Sequence, residues 1–306
     1  MTKPDDASLS PQDLAAIEKH AVRLLDESDA WDVYPVPIED LLATASLQLA
    51  PSSAFNGAAI MAYIKGKAAA ATQNIKSAVS KIFGIYDANE SLIHIDDTVK
   101  ISKQNFLKLH ETGHHRIPTH RKMYQLFQDC EETLSHDIAD QFEREANNFA
   151  RYVLFKGETF GQMAADSALD IKVPIRLAKK FGASIYASCR EYARSNQRDC
   201  LVYVLEPIET INGAHLVAEI RRIEASPTFA ARFGIPQDKV ITPSHAIWPA
   251  IPIGKKMALP HQFTIQDRNA VSHECLAEGF DTTYNLIILV YPTHALTRSI
   301  SLGEVS

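Results

Sequence analysis

The sequence is short of cysteine, short of positive charge and without a long apolar run, and each shortage removes a class of protein. Its four cysteines (Cys130, Cys189, Cys200 and Cys275) lie far apart and form no C-x-x-C pair. That argues against a disulfide framework and predicts buried free thiols in a reducing compartment. Basic side chains number 31 against 37 acidic ones, a net charge of −6. A protein held to nucleic acid by its whole surface is thereby excluded, although a local basic patch is not. The greasiest stretch, Leu286 to Tyr291 in "YNLIILVYP", is too short to span a bilayer and reads as a buried strand. The opening "MTKPDDASLSPQDL" has no basic region followed by an apolar run, so no secretory signal is expected and the protein is placed in the cytoplasm. There is no internal repeat, and no low-complexity segment beyond a run of alanines.

What is present is ordinary for a globular protein: 46% hydrophobic and 22% charged residues in 306, enough for a substantial core and one to three domains. Ser10-Pro11 predicts a helix start, with Ser as N-cap and Pro at the first helical position. Leu14, Ile17, Ala21 and Leu24 or Leu25 then follow helical spacing. "YPVPIEDLLATASL" predicts an extended link into a short helix over 38–45, and the alanine-rich 58–79 favours helix. "KIFGIYD" and "SLIHIDD", separated by Ala-Asn-Glu, predict a hairpin. Helices are expected over 102–115, stopped by Pro118, over 137–154, and again within 166–197. Beyond Cys200 the strand candidates are "CLVYVLE", "GAHLVAEIRRI", "QFTIQ", "SHECLAEGF" and "YNLIILVY", interrupted by one short helix at "SPTFAARFG".

Chemistry concentrates in "FLKLHETGHH". On a helix, His110 and His114 lie about 40° apart around the axis and project side by side, so two neutral imidazoles can occupy two corners of a zinc tetrahedron. Glu111 lies on the adjoining side, where its carboxylate can act as general base toward a zinc-activated water and later pass the proton to the leaving amine. With 12 histidines in the chain, chance placement gives roughly 0.03 occurrences of this pattern. Phe106, Leu109, His110, Gly113 and His114 fall at i, i+3, i+4, i+7 and i+8, which predicts that both histidines share an inward stripe. Gly113 keeps the surface between them low, for close packing or for substrate approach.

A catalytic zinc needs a third protein ligand and an open fourth position. "FEREANNFARYVL" offers it: Ala146, Phe149, Ala150 and Val153 define an inward stripe, flanked on opposite sides by Glu143 and Glu145. Helix geometry alone does not choose between the two glutamates.

"FLKLHETGHH", "EREANNFARYVL" and "YPVPIEDLLATASLQL" together resemble the ImmA/IrrE family of metallo-endopeptidases, gluzincin-like proteases many of which cleave a partner helix-turn-helix repressor. In such sites the ligand glutamate heads a pattern E-x-x-A followed by Asn or Asp. The resemblance therefore implies His110, His114 and Glu143 as ligands of one zinc ion per chain, with Glu145 as the fallback third ligand. It also implies Asn147, one turn beyond Glu143, as hydrogen-bond support for a ligand histidine. Thr112 stands where the family commonly has leucine, and "YVLFKGETF" departs from the Met-Pro turn of many members. The resemblance is specific over the first 155 or so residues.

"VPIRLAKKFGASIYASCREYARS" has the look of a helix-turn-helix, which would set Lys179, Lys180, Arg190 and Arg194 near phosphates. The blander alternative, an amphipathic helical pair packed on the protease, is preferred, and DNA binding is not expected. His115 and His120 lie close enough in sequence to assist an oxyanion, but nothing selects them. "SLIHIDD" is a candidate edge for substrate strand addition. The expected architecture is α+β: a mainly helical zincin-like peptidase core with a small sheet (1–160), a helical segment (161–198), and a β-rich regulatory or substrate-recruiting domain (199–306). The expected function is zinc-dependent endoproteolysis of a specific protein, a helix-turn-helix transcriptional repressor. The alternative is a non-proteolytic regulator that binds a repressor or DNA, with zinc structural or vestigial. A structural zinc would need a fourth protein ligand, and no cysteine neighbours the motif. Membrane association is not expected, and the oligomeric state stays open.

Overall fold

The computed structural model describes residues 8–50, 84–87, 91–95, 98–128, 136–211 and 215–296. The alanine-rich 58–79, the Ala-Asn-Glu turn and Cys130 fall outside the described residues. The chain is α+β and divides into two compact units. One runs to Gly157 and includes Lys180–Ala183; the other comprises Glu158–Lys179 and the residues from Ser184 onward.

The first unit begins with α1 (Pro11–Glu27), whose start is as expected: Pro11 opens the helix and the Ser10 hydroxyl accepts from the Asp13 N–H at 3.2 Å. Its buried stripe, Ile17, Ala21, Leu24 and Leu25, packs on the last helix of the unit. There follow α2 (Ile38–Thr44), β1 (Gln48–Leu49), β2 (Gly84–Asp87), β3 (Leu92–Ile95), α3 (Ile101–Arg116), α4 (Pro118–Gln128) and α5 (His136–Phe155). Pro118 does more than stop α3. Having no N–H to leave unpaired, it also opens α4.

The small sheet has the order β1-β3-β2, with β3 parallel to β1 and antiparallel to β2. This corrects the expectation that "SLIHIDD" supplies an edge. Its strand is central, both its backbone faces are engaged, and Ile93 has no exposed surface. Among the described residues, β1 and β2 are the outer members of this sheet.

Lys156 closes α5 and has no exposed surface. Its ammonium donates to the carbonyls of Ala30 (2.7 Å), Trp31 (2.8 Å) and Val33, and lies 3.7 Å from the centre of the Tyr34 ring. Burial draws its pKa down to about 8, which still leaves it charged at neutral pH. One side chain thus ties the end of α5 to the loop after α1.

The second unit carries α6 (Thr159–Ala165), the start of α7 (Lys172–Phe181) and α8 (Ile185–Arg194), then β4 (Leu201–Leu205), β5 (Glu209–Ile211), β6 (His215–Ala225), α9 (Pro227–Phe233), β7 (Val240–Ile241), β8 (His261–Gln266), β9 (Ser272–Asp281) and β10 (Leu286–Pro292). Its antiparallel sheet has the order β5-β6-β4-β10-β9-β8, with β7 on β6. The apolar runs of β4 and β10 are central and buried along their whole length, as continuous hydrophobic strands require. α8 covers one face, and there Arg190 and Arg194 both grip Glu224 of β6 at 2.9 Å. Two of the four cations offered for phosphate contact are therefore spent on an internal carboxylate. Cys189, Cys200 and Cys275 are buried free thiols, and burial pushes Cys200 and Cys275 up to about 12. Among the described residues, no helix is long and apolar enough to cross a membrane.

Lys156→Met removes the donor for three carbonyls of the loop after α1 and should destabilise the protein by about 3 kcal/mol. The loss should appear as a lower urea midpoint with an unchanged slope.

Candidate metal centre

α3 and α5 meet at Gly113. A Cβ there would lie 3.1 Å from Phe149 Cδ1 and 3.3 Å from Ala146 Cα, so the missing side chain sets how near the helices come. Of the two uses foreseen for Gly113, the structure displays close packing. On α5 the stripe Ala146, Phe149, Ala150 and Val153 is wholly buried, as its spacing predicts.

The single inward stripe expected of α3 is corrected. Every residue from Leu109 to His115 is buried, Glu111 and Thr112 included, because α5, α2, α4 and the small sheet surround this half of the helix. Thr112 satisfies its hydroxyl locally, donating to Lys108 O at 2.7 Å.

His110, His114 and Glu143 come together and form a cluster that could hold a metal ion. His110 Nε2 lies 3.1 Å from His114 Nε2, and the two nitrogens lie 3.3 and 3.5 Å from the two oxygens of Glu143. A tetrahedral ion with bonds of about 2.0–2.1 Å needs ligand atoms about 3.3–3.4 Å apart; each of these contacts is close to that length, with the two nitrogens meeting different oxygens of Glu143. Protons alone serve the arrangement poorly. Two ring nitrogens pointed at each other can share only one hydrogen. The residues fit a divalent cation with nitrogen and oxygen ligands. The histidines are deeply buried, whereas the Glu143 side chain is 54% exposed, so the cluster is reached from the glutamate's side.

Electrostatics agree. Burial alone would lower His110, but its bond to Glu143 and the nearby carboxylates push it up to about 9. Burial takes His114 down to about 4, with the His110 charge acting in the same direction. One proton is thus held between two imidazoles, the proton that a cation displaces. Desolvation works to raise Glu143, but the hydrogen bond from His110 and the imidazoles close by outweigh it and hold the carboxyl well below its usual range. Glu111 is pushed up to about 7, chiefly by burial.

Around this cluster the other foreseen residues separate. Asn147 Oδ1 lies 3.1 Å from His110 Nδ1, on the far side of that ring from Glu143. Glu145 does not join the cluster. Its carboxylate meets His120 Nε2 at 2.7 Å, and His120 Nδ1 meets His114 Nδ1 at 3.1 Å. His120 has no exposed surface, and His115 is buried against the Tyr86 hydroxyl at 2.7 Å. Neither ring is open to a substrate from solvent. The role of His120 behind His114 was not foreseen. Its spacing from Glu145, 25 residues away on the next helix, leaves no periodic signal.

Two helices crossing at a His-His-Glu cluster, one of them carrying HExxH, define the class: a metallopeptidase-type domain. Residues 73–191 match the family model described as the IrrE N-terminal-like domain, a peptidase family, and the chain therefore carries a domain of the kind its motifs resemble. No curated protein sequence matches the chain. A solved structure of a Mycobacterium tuberculosis transcriptional regulator aligns over 94% of this chain and 80% of its own, with TM-score 0.52 and 12% identity. At that identity the likeness is one of fold.

Gly113→Val should force α3 and α5 apart, costing about 2 kcal/mol and weakening metal binding. Thermal unfolding with and without added zinc measures both effects.

Proposed function

We propose that the protein is a zinc-dependent endopeptidase acting in the cytoplasm on one specific protein, a helix-turn-helix transcriptional repressor. The observation that carries this reading is the cluster of His110, His114 and Glu143, whose tips come together where they could hold a metal ion, with the buried carboxyl of Glu111 next to it in sequence. Three protein ligands leave a fourth position for chemistry.

In this reading His110, His114 and Glu143 hold the zinc, and Asn147 orients His110. When bound, the ion supplies Lewis acidity that polarises the scissile carbonyl and acidifies the attacking water. Glu111 takes the proton from that water as its oxygen bonds to the carbonyl carbon. As the C–N bond breaks, Glu111 returns the proton to the leaving amine. Burial raises its pKa in the metal-free site, which favours proton uptake by this carboxylate. The exposed side of Glu143 is where an extended polypeptide would be admitted.

The repressor as substrate rests on the resemblance to ImmA/IrrE proteases, and the fold shared with a transcriptional regulator is in keeping with it. The β-rich unit is assigned the regulatory or substrate-recruiting part. DNA is not the partner in this reading, since Arg190 and Arg194 are already paired with Glu224.

The test compares wild type with Glu111→Gln, by metal analysis and by co-expression with the repressor encoded beside the gene. Both proteins should bind about one zinc per chain. Cleavage, read by mass spectrometry of the fragments, should fall about 10²–10⁴-fold in the variant. Equal cleavage would remove Glu111 from the mechanism, and absence of bound metal in both would remove the site. Bound metal with an intact but co-purifying repressor would favour the non-proteolytic regulator.

A further inference from the structure

Glu145, His120 and His114 form a continuous chain of short polar contacts that ends at the metal cluster, and the proposed chemistry does not use its outer two members. We propose that Glu145 and His120 are positioning residues that hold His114 in the one tautomer whose Nε2 can bind a cation. The inference rests on the reading of His114 as a ligand.

A neutral imidazole has one N–H and one lone pair. For Nε2 of His114 to bind a metal, its hydrogen must sit on Nδ1, and something must accept from it there. Another imidazole, His120, stands in position to accept, its Nδ1 3.1 Å away. Between two ring nitrogens either could donate, so this contact alone leaves the tautomer of His114 undecided. Glu145 decides it. An ionised carboxylate only accepts, so its oxygen, 2.7 Å from His120 Nε2, requires the N–H of His120 to be on that nitrogen. The lone pair of neutral His120 is then on Nδ1, His114 donates to it, and the lone pair of His114 is left on Nε2. That nitrogen faces His110 Nε2 and Glu143 Oε1.

The chain is held at each link. Gln141 Nε2 donates to the second oxygen of Glu145 at 2.8 Å, which fixes the carboxylate from both sides. Phe142 stacks on His120 with ring centroids 3.9 Å apart and planes 24° from parallel. With no exposed surface, His120 has no bulk water competing for its nitrogens. The two histidines of the cluster are thus set by different devices. His110 has a direct amide acceptor in Asn147, whereas His114 has an acceptor that is itself set from outside.

The measurements are zinc affinity by chelator competition and the 15N spectrum of labelled histidines in metal-free protein, which distinguishes Nδ1–H from Nε2–H rings. Wild type should show His114 with its hydrogen on Nδ1. Glu145→Gln, whose amide can either donate or accept, should give a mixture of His114 tautomers and bind zinc about 10–100-fold more weakly. His120→Phe keeps the stacked ring but has no nitrogen, and should weaken zinc to a similar degree. Glu145→Asp, which keeps the carboxylate, should recover part of the loss. A merely structural pair would lower the melting temperature and leave the His114 tautomer as in wild type, and that result would overturn the proposal. If His120→Phe does not fold, Glu145→Gln decides. Should wild type bind no zinc, the ligand reading fails, while the tautomer comparison in metal-free protein still decides the relay.

Discussion

The close crossing of α3 and α5 is the constraint from which the rest of the site follows. Gly113 has no side chain to hold the helices apart, and Ala146 opposite is nearly as small. At that separation a histidine on one helix and a glutamate on the other meet tip to tip rather than through water. Together with α2, α4 and the small sheet, α5 excludes solvent from Leu109 to His115, and so every polar group in that half-helix must be satisfied from within. Spacing and polarity are thus two aspects of one packing decision.

That necessity explains why the neighbourhood is so rich in paired polar side chains. Thr112 turns back to a carbonyl, His115 takes the Tyr86 hydroxyl, His110 takes Asn147, and His114 takes His120 and, through it, Glu145. A buried imidazole or carboxylate without such a partner costs about 1–3 kcal/mol or more. Lys156 repeats the principle elsewhere in the unit, its ammonium dividing three hydrogen bonds among one loop's carbonyls. The open polar group is Glu143, and its exposure marks the direction from which a substrate would come.

The β-rich unit follows a different logic. Its centre is a pair of strands, β4 and β10, apolar on both faces, covered on one side by α8. The basic residues of α8 serve this packing by clasping Glu224. A segment with the look of a helix-turn-helix, expected to pack rather than to bind DNA, thereby becomes part of a domain's own scaffold.

Short-range chemistry made much of this legible in the sequence. Ser10-Pro11 specifies a helix start, period-3.6 apolar residues specify the buried stripe of α5, and the apolar run from Leu286 specifies a central strand, because each depends on neighbours within a turn or a pleat. The side-by-side projection of His110 and His114 is likewise a property of one helix. Three things depend on distant segments and were decided only in the folded chain. β3 is a central strand because β1, some forty residues before it, pairs along its other side. Glu143 and Glu145 straddle the same stripe, so only the angle at which α5 crosses α3 could send one to the histidine tips and the other behind His120. The burial of α3 on all sides came from four surrounding elements rather than from its own periodicity. The sequence by itself determined which groups could do chemistry, since residue type and helical spacing are local. The tertiary structure decided which carboxylate meets which nitrogen, because that depends on contacts between residues more than twenty apart in the chain.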